Sequence, residues 1–218
     1  MSTETSGSTV LVIDDHPLFR RGVTQLLALD PQLELVGEAS SGEEGIALAA
    51  AREPDLILLD LNMKGLSGID TLKRLRDSGS DARIVMLTVS DSADDLVAAI
   101  RAGADGYLLK DMDPELLLNR IREALFGRMV ISDSLTGALA QALRGESVAA
   151  TRDAAQLTDR ERDILACLAA GMSNKLVARE LNITEGTVKV HVKNLLKKLN
   201  FRSRVEAAVW AVEHGLKR

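Results

Sequence analysis

Four short apolar runs in this chain end in residues able to hold a cation and an anion together. Asp14 and Asp15 follow Thr9-Val-Leu-Val-Ile, and Asp60 follows Asp55-Leu-Ile-Leu-Leu. Thr88 follows Arg83-Ile-Val-Met-Leu, and Lys110 follows Gly106-Tyr-Leu-Leu. In an open parallel sheet the carboxyl ends of the strands line one crevice, which is where ligands bind. Three carboxylates, a hydroxyl and an amine converging there predict phosphoryl chemistry on an aspartate. The carboxylates repel one another unless a cation sits among them, and hard oxygen ligands with no cysteine favour magnesium over zinc. An aspartate at a strand end can instead cap a helix, and Asp15 ahead of His16-Pro17 is placed to do so.

The elements that must position these residues follow from periodicity. Strand patterns at 9-14, 33-38, 55-60, 83-88 and 105-109 alternate with helical patterns near 17-29, 42-52, 67-77, 92-102 and 113-127. Five β-α units in series predict a doubly wound, five-stranded parallel sheet with helices on both faces. Residues 1-8 read as a disordered start and 9-130 as the first domain. Residues 131-156 read as a linker, with a possible short helix around Ala140-Gln-Ala-Leu. From Leu157 to Arg218 only helical periodicity remains, which predicts a four-helix, all-α second domain. Thr158 and Glu161 form a capping-box pattern ahead of the Ile164, Leu165 and Leu168 stripe, and Thr184 is placed to cap a later helix. Val205, Ala208, Val209 and Val212 share one face of the last helix. A short helix, a turn at Asn182 and a lysine-bearing helix suggest a helix-turn-helix.

Charge divides the chain in the same place. Residues 157 to 218 hold 12 Lys+Arg against 7 Asp+Glu, while residues 1 to 156 hold 15 against 25. An acidic body joined to a basic end predicts two different partners, the basic one facing nucleic acid. Lys189, Lys193 and Lys197 recur every four residues on one helix face, which suits a helix in the major groove and equally suits a plain solvated surface. Cys167 is unpaired within the chain and reads as a small buried hydrophobe. No charge-poor run has a membrane-spanning length, and the first residues lack the pattern of a signal peptide, so a cytoplasmic protein without a membrane partner is expected.

The constellation Asp14-Asp15, Asp60, Thr88 and Lys110, with Leu58-Leu-Asp-Leu-Asn-Met and Gly103-Ala-Asp-Gly-Tyr-Leu-Leu-Lys, resembles the receiver domain of two-component response regulators. The resemblance implies the flavodoxin-like strand order. It implies Asp60 as phospho-acceptor, with magnesium held by Asp15, Asp60 and the backbone carbonyl of Asn62, and Asp14 acting through water. It also implies that Lys110 pairs with a phosphoryl oxygen, that the Thr88 hydroxyl moves inward to another, and that Tyr107 rotates into the space Thr88 leaves. One departure stands out: the family commonly has proline after Met63, where this chain has Lys64. Lysine keeps an N–H that proline lacks and frees the φ of the loop.

Gly171-Met-Ser-Asn-Lys, Val177-Ala-Arg-Glu-Leu and Thr187-Val-Lys-Val-His-Val-Lys-Asn-Leu-Leu-Lys-Lys-Leu resemble the LuxR-type helix-turn-helix. That resemblance implies base-edge contacts from Lys189, Val190 and Lys193, backbone contacts from Asn174, Lys175, Lys197 and Lys198, and a homodimer on double-stranded DNA through the last helix. End to end the chain resembles the nitrate- and nitrite-responsive regulators of this family. Control of respiratory genes follows from that likeness alone, since no residue here is read as sensing nitrate. The expected protein is a transcriptional regulator, not an enzyme, phosphorylated by a sensor histidine kinase. In its resting state the acidic receiver docks over the basic recognition helix. An aspartyl phosphatase would share the metal and the lysine, but it usually has an acid where this chain has Asn62. A flavodoxin-like cofactor binder would need a phosphate-cradling loop where Asp14-Asp15-His16-Pro17 is acidic. Neither rival accounts for the C-terminal helices.

Overall fold

The computed structural model describes residues 7–135, 137, 157–172, 174–199, 201 and 204–216. The first part is a parallel sheet of order β2-β1-β3-β4-β5-β6. The strands are β1 (Ser8–Ile13), β2 (Leu33–Ala39), β3 (Leu56–Leu59), β4 (Arg83–Thr88), β5 (Gly106–Leu109) and β6 (Val130–Ile131). Five helices alternate with them: α1 (Pro17–Leu27), α2 (Gly42–Arg52), α3 (Gly68–Asp77), α4 (Ala93–Ala102) and α5 (Pro114–Leu125). The expected five strands and their order are present, and a sixth is added. The β6 pair Gly106↔Val130 and Tyr107↔Ile131 extends the sheet by two residues beyond β5. Two residues leave no period to detect. A Cβ on Gly106 would meet the Val130 carbonyl oxygen at 2.6 Å, so glycine lets this edge close.

Strand periodicity of two sorts the core into two layers. Leu11, Ile13, Ile57, Leu59, Ile84, Met86 and Tyr107 pack with residues of α2, α3 and α4, including Leu72, Leu75, Leu96 and Ile100. Their neighbours Val10, Val12, Leu56, Leu58, Val85, Leu87 and Leu108 face the other way, against Val23 and Leu27 of α1 and Leu117 and Ile121 of α5. β3 and β4 are buried along their whole length, as central parallel strands should be.

The second part has four helices among the described residues: α6 (Asp159–Ala169), α7 (Asn174–Glu180), α8 (Glu185–Lys198) and α9 (Arg204–Glu213). Thr158 and Glu161 make the reciprocal capping box at the start of α6. Asn182, at φ 52°, turns the chain between α7 and α8, and the Thr184 side chain accepts from the Thr187 amide to cap α8. These helices enclose their own core of Ile164, Leu165, Cys167, Val188, Leu195 and Trp210, distinct from both receiver layers. The face of α9 turned to that core is Ala207, Trp210 and Ala211, with Ala208 at its margin, while Val212 is exposed. The expected linker helix lies outside the described residues, as does most of the expected N-terminal tail. Ser8 already pairs with Leu33.

Candidate functional site

The backbone ladder fixes the acidic pocket one residue past each strand. The Asp14 amide donates to the Ala39 carbonyl at 3.0 Å, Asp60 to Ile13 at 2.9 Å and Lys110 to Thr88 at 2.8 Å. Side chains that leave the sheet at those points converge. Lys110 Nζ lies 2.8 Å from Asp14 Oδ2 and 2.9 Å from Asp60 Oδ2, with all three side chains nearly buried. A buried ammonium shared by two carboxylates offsets part of their mutual repulsion, which is severe at low local dielectric. The Phe19 ring of α1 lies 4.7 Å below the same ammonium. Arg20 adds a donor to the Asp14 carbonyl oxygen.

Asp15 completes the cluster. Ligand atoms of Asp14, Asp15, His16 and Asp60 lie within 4.8 Å of one another. Asp15 Oδ1 and Asp60 Oδ2 are buried and accept no hydrogen bond, although His16 Nδ1 stands 3.0 Å from the first and the ammonium 2.9 Å from the second. Three carboxylates gathered so closely are costly unless positive charge offsets them, so the donor set fits a hard divalent ion. The helix-capping alternative for Asp15 is not realised. Asp14 Oδ1 instead accepts from the His16 amide at 2.8 Å, just ahead of α1.

The loop after β3 closes the pocket from the side. The Asn62 amide donates to Asp60 Oδ1 at 3.3 Å, and the Lys64 amide to Asp15 Oδ2 at 3.0 Å. A Cβ on Gly68, at the start of α3, would stand 2.1 Å from the Asp60 carbonyl oxygen, so only glycine lets this helix begin so close behind Asp60. Thr88 is fully buried, and its hydroxyl accepts from the Ser90 amide at 3.1 Å. Tyr107 is also fully buried, its hydroxyl donating to the Ser90 carbonyl at 3.0 Å. Burial first, then Asp95 and Asp91 nearby, push the Tyr107 hydroxyl up to about 12, so it remains a donor.

The residues proposed for DNA sit at the other end of the sheet. Lys189, Val190, Lys193, Lys197 and Lys198 lie on α8, and Asn174 and Lys175 on α7. Val190, Lys193 and Lys197 are exposed. Two of the set have partners within their own domain. Lys198 Nζ bonds the buried Glu161 carboxylate at 2.7 Å, and Asn174 Oδ1 accepts from Arg204 at 3.4 Å. Lys189 reaches across to the receiver, 3.3 Å from Asp81 in the loop before β4.

This contact belongs to a seam at the amino-terminal ends of the strands. A cleft of about 830 Å³ there is lined by Asp55, Asp81 and Arg83 on one side and by Arg179, Lys189 and Arg204 on the other. At its edge the buried Asp105 carboxylate bonds Arg76 at 2.6 Å and the Ile84 amide at 2.9 Å, with Arg83 at 3.6 Å. Burial alone would raise the Asp105 carboxyl. Arg83, then Arg76 and Arg204, outweigh it and hold the carboxyl below its ordinary range. Burial and then Arg83 push the Arg204 guanidinium down to about 10, against the opposite pull of Asp105. Two guanidiniums, Arg76 and Arg83, therefore meet one carboxylate directly, and the Arg204 charge acts on it from the other side of the seam.

His16, Phe19, the Lys64 amide and the Asp105 node were not among the candidates read from sequence. His16 adjoins the acidic pair and could have been included on proximity. The others depend on contacts between distant segments.

An α/β receiver with an acidic, lysine-bearing pocket, followed by a helix-turn-helix with a basic recognition helix, defines a DNA-binding response regulator. The profile of the response regulator receiver domain matches residues 10–122, and that of the bacterial regulatory proteins of the luxR family matches residues 155–211. The chain belongs to the response regulators that join a receiver to a LuxR-type DNA-binding domain. It is 55% identical to the nitrate/nitrite response regulator protein NarL of Escherichia coli (strain K12), over 93% of this chain and 94% of that one. It is 54% identical to the nitrate/nitrite response regulator protein NarP of the same strain, over 92% of each. A crystal structure of a LuxR-family two-component response regulator from Aurantimonas sp. SI85-9A1 aligns with a TM-score of 0.60 at 30% identity, over 64% of this chain and 99% of that one.

Proposed function

We propose that this protein accepts a phosphoryl group on Asp60 from the phospho-histidine of a sensor kinase and thereby gains access to DNA. The observation that carries the reading is the convergence on Asp60 of the Lys110 ammonium at 2.9 Å and of the Asp14 and Asp15 carboxylates. An Asp60 oxygen attacks phosphorus, the phosphorus–nitrogen bond of the donor breaks, and its imidazole leaves with the electron pair and takes up a proton. Lys110 would shift from carboxylate to phosphoryl oxygen as negative charge arrives. Asp15, Asp60 and the Asn62 carbonyl would hold magnesium, with Asp14 acting through water. When bound, the ion supplies the positive charge that lets one anion approach another. The Thr88 hydroxyl, turned to Ser90 in this state, would move to a phosphoryl oxygen, and Tyr107 already occupies the inner position behind it.

Such a site serves as a switch, so the chain is not an enzyme in the ordinary sense. It works in the cytoplasm with no membrane partner; none of the helices among the described residues is long and apolar enough to cross a membrane. The output is the helix-turn-helix. Lys189, Val190 and Lys193 read base edges, Asn174, Lys175, Lys197 and Lys198 approach phosphates, and two copies pair through α9, where Val212 is exposed. In the resting state the Lys189–Asp81 contact draws a base-reading lysine onto the receiver. Phosphorylation releases it. Identity with NarL and NarP along nearly the whole chain supports nitrate or nitrite as the upstream signal and respiratory genes as the target.

The test is operator binding by wild type and Asp60→Ala, each with and without acetyl phosphate and magnesium, on DNA selected by residues 157–218. Phosphodonor should tighten binding by wild type alone. Equal binding in all four cases would leave a DNA-binding protein whose receiver is not governed by phosphorylation.

A further inference from the structure

The carboxylates of Asp15 and Asp60 each have one oxygen held by a backbone amide and one turned to the cluster. The Asn62 amide takes Asp60 Oδ1 at 3.3 Å, and the Lys64 amide takes Asp15 Oδ2 at 3.0 Å across 49 residues of sequence. The remaining oxygens, Asp60 Oδ2 and Asp15 Oδ1, are buried and accept no hydrogen bond, with the Lys110 ammonium 2.9 Å from the first and His16 Nδ1 3.0 Å from the second. One short loop thus supplies both amides. The Gly68 amide, bonded to the Leu61 carbonyl at 2.9 Å, closes that loop at its far end.

An aspartate side chain rotates about χ1 and broadly about χ2, so a free carboxylate presents its oxygens in many directions. An amide holding one oxygen removes most of that freedom and fixes where the other points. We propose that the backbone N–H of Lys64 positions the metal ligand Asp15, holding Oδ1 toward the cation site, and that the Lys64 side chain has no part in this. The proposal rests on the reading of Asp15 as a cation ligand. An N–H donated to an ionised carboxylate is a charge-assisted bond, among the stronger ones in proteins. Its position in the loop leaves it independent of residue type, with one exception: proline has no N–H to give.

Magnesium binding to the full-length, unphosphorylated protein tests this by calorimetry at fixed ionic strength, without any phosphoryl transfer. Lys64→Pro should weaken magnesium by about tenfold, the loss of roughly one charge-assisted hydrogen bond. Lys64→Ala, which keeps the N–H, should stay within about twofold of wild type. Equal affinity of Lys64→Pro and wild type overturns the proposal, as does an equal loss in both variants. Asp15→Ala separates the underlying reading: if it binds magnesium as wild type does, Asp15 is no ligand and the premise fails. A second measurement does not depend on the proline variant folding. In wild type the Lys64 amide proton should exchange slowly with solvent, and its resonance should shift and lose protection in Asp15→Ala. A fast-exchanging amide that ignores the Asp15 change overturns the proposal directly.

Discussion

Asp105 shows how one buried carboxylate can hold several elements together. It faces Arg76 from α3, Arg83 from β4 and the Ile84 amide, with only 2% of its surface exposed. Removing the charge leaves two guanidiniums without a counter-ion, so Asp105→Asn should destabilise the receiver by about 3 kcal/mol, read from the urea midpoint. The pH dependence follows from its depressed carboxyl. A carboxylate whose folded pKa lies below its unfolded value contributes stability that is complete above the unfolded value, near 3.9, and is lost as pH falls through the folded one. The gap between wild type and Asp105→Asn should therefore be constant from pH 8 to about pH 5 and shrink below about pH 4. A gap that closes near neutrality would show that some other group sets it. Glu161 follows the same sign: burial would raise it, but Lys198 and Thr158 hold it low. Glu161→Gln should accordingly cost the C-terminal domain stability at neutral pH and progressively less as pH falls below about 4.

At the scale of elements, α8 and the loop before β4 meet through one ion pair, which would set the strength of the proposed resting state. Their Lys189–Asp81 pair is about half-exposed on both sides, and such pairs contribute less than about 1 kcal/mol. Asp81→Ala should raise the operator affinity of the unphosphorylated protein about two- to fivefold and leave that of the phosphorylated protein unchanged. Equal changes in both states would mean that Asp81 acts on folding and not on docking. Most of these elements are legible in the sequence. β1, β3, β4 and β5 are apolar for a strand's length and stop at a polar residue, so their ends, and with them Asp14, Asp60, Thr88 and Lys110, can be placed by counting. Thr158 and Thr184 announce two helix starts in the same way. β6 escapes because Val130-Ile131 is too short for a pattern, and it exists only because Gly106 admits it. The Lys64–Asp15 contact escapes because a backbone amide makes it. Arg83 reads as an ordinary strand residue until the fold sets it beside Asp105.

For the whole molecule, the separation of cores decides what can be cut apart. The C-terminal helices bury Ile164, Leu165, Val188, Leu195 and Trp210 among themselves and share no core residue with either receiver layer. Residues 157–218 should fold alone with a cooperative melt, and should bind the operator more tightly than the unphosphorylated full-length chain. A fragment no tighter than the whole would remove the case for occlusion. The seam and the acidic pocket also lie at opposite ends of the same two strands. β4 begins at Arg83 and ends at Thr88; β5 is preceded by Asp105 and followed by Lys110. Each spans about 17 Å at strand rise. This pair of hydrogen-bonded strands therefore carries a chemical head at one end and a docking foot at the other. The partners read at head and foot are then free to diverge separately. On the proposed function, exchanging the donor that charges Asp60 need not disturb the DNA sequence read by α8, so a lineage could rewire its inputs while its outputs stand.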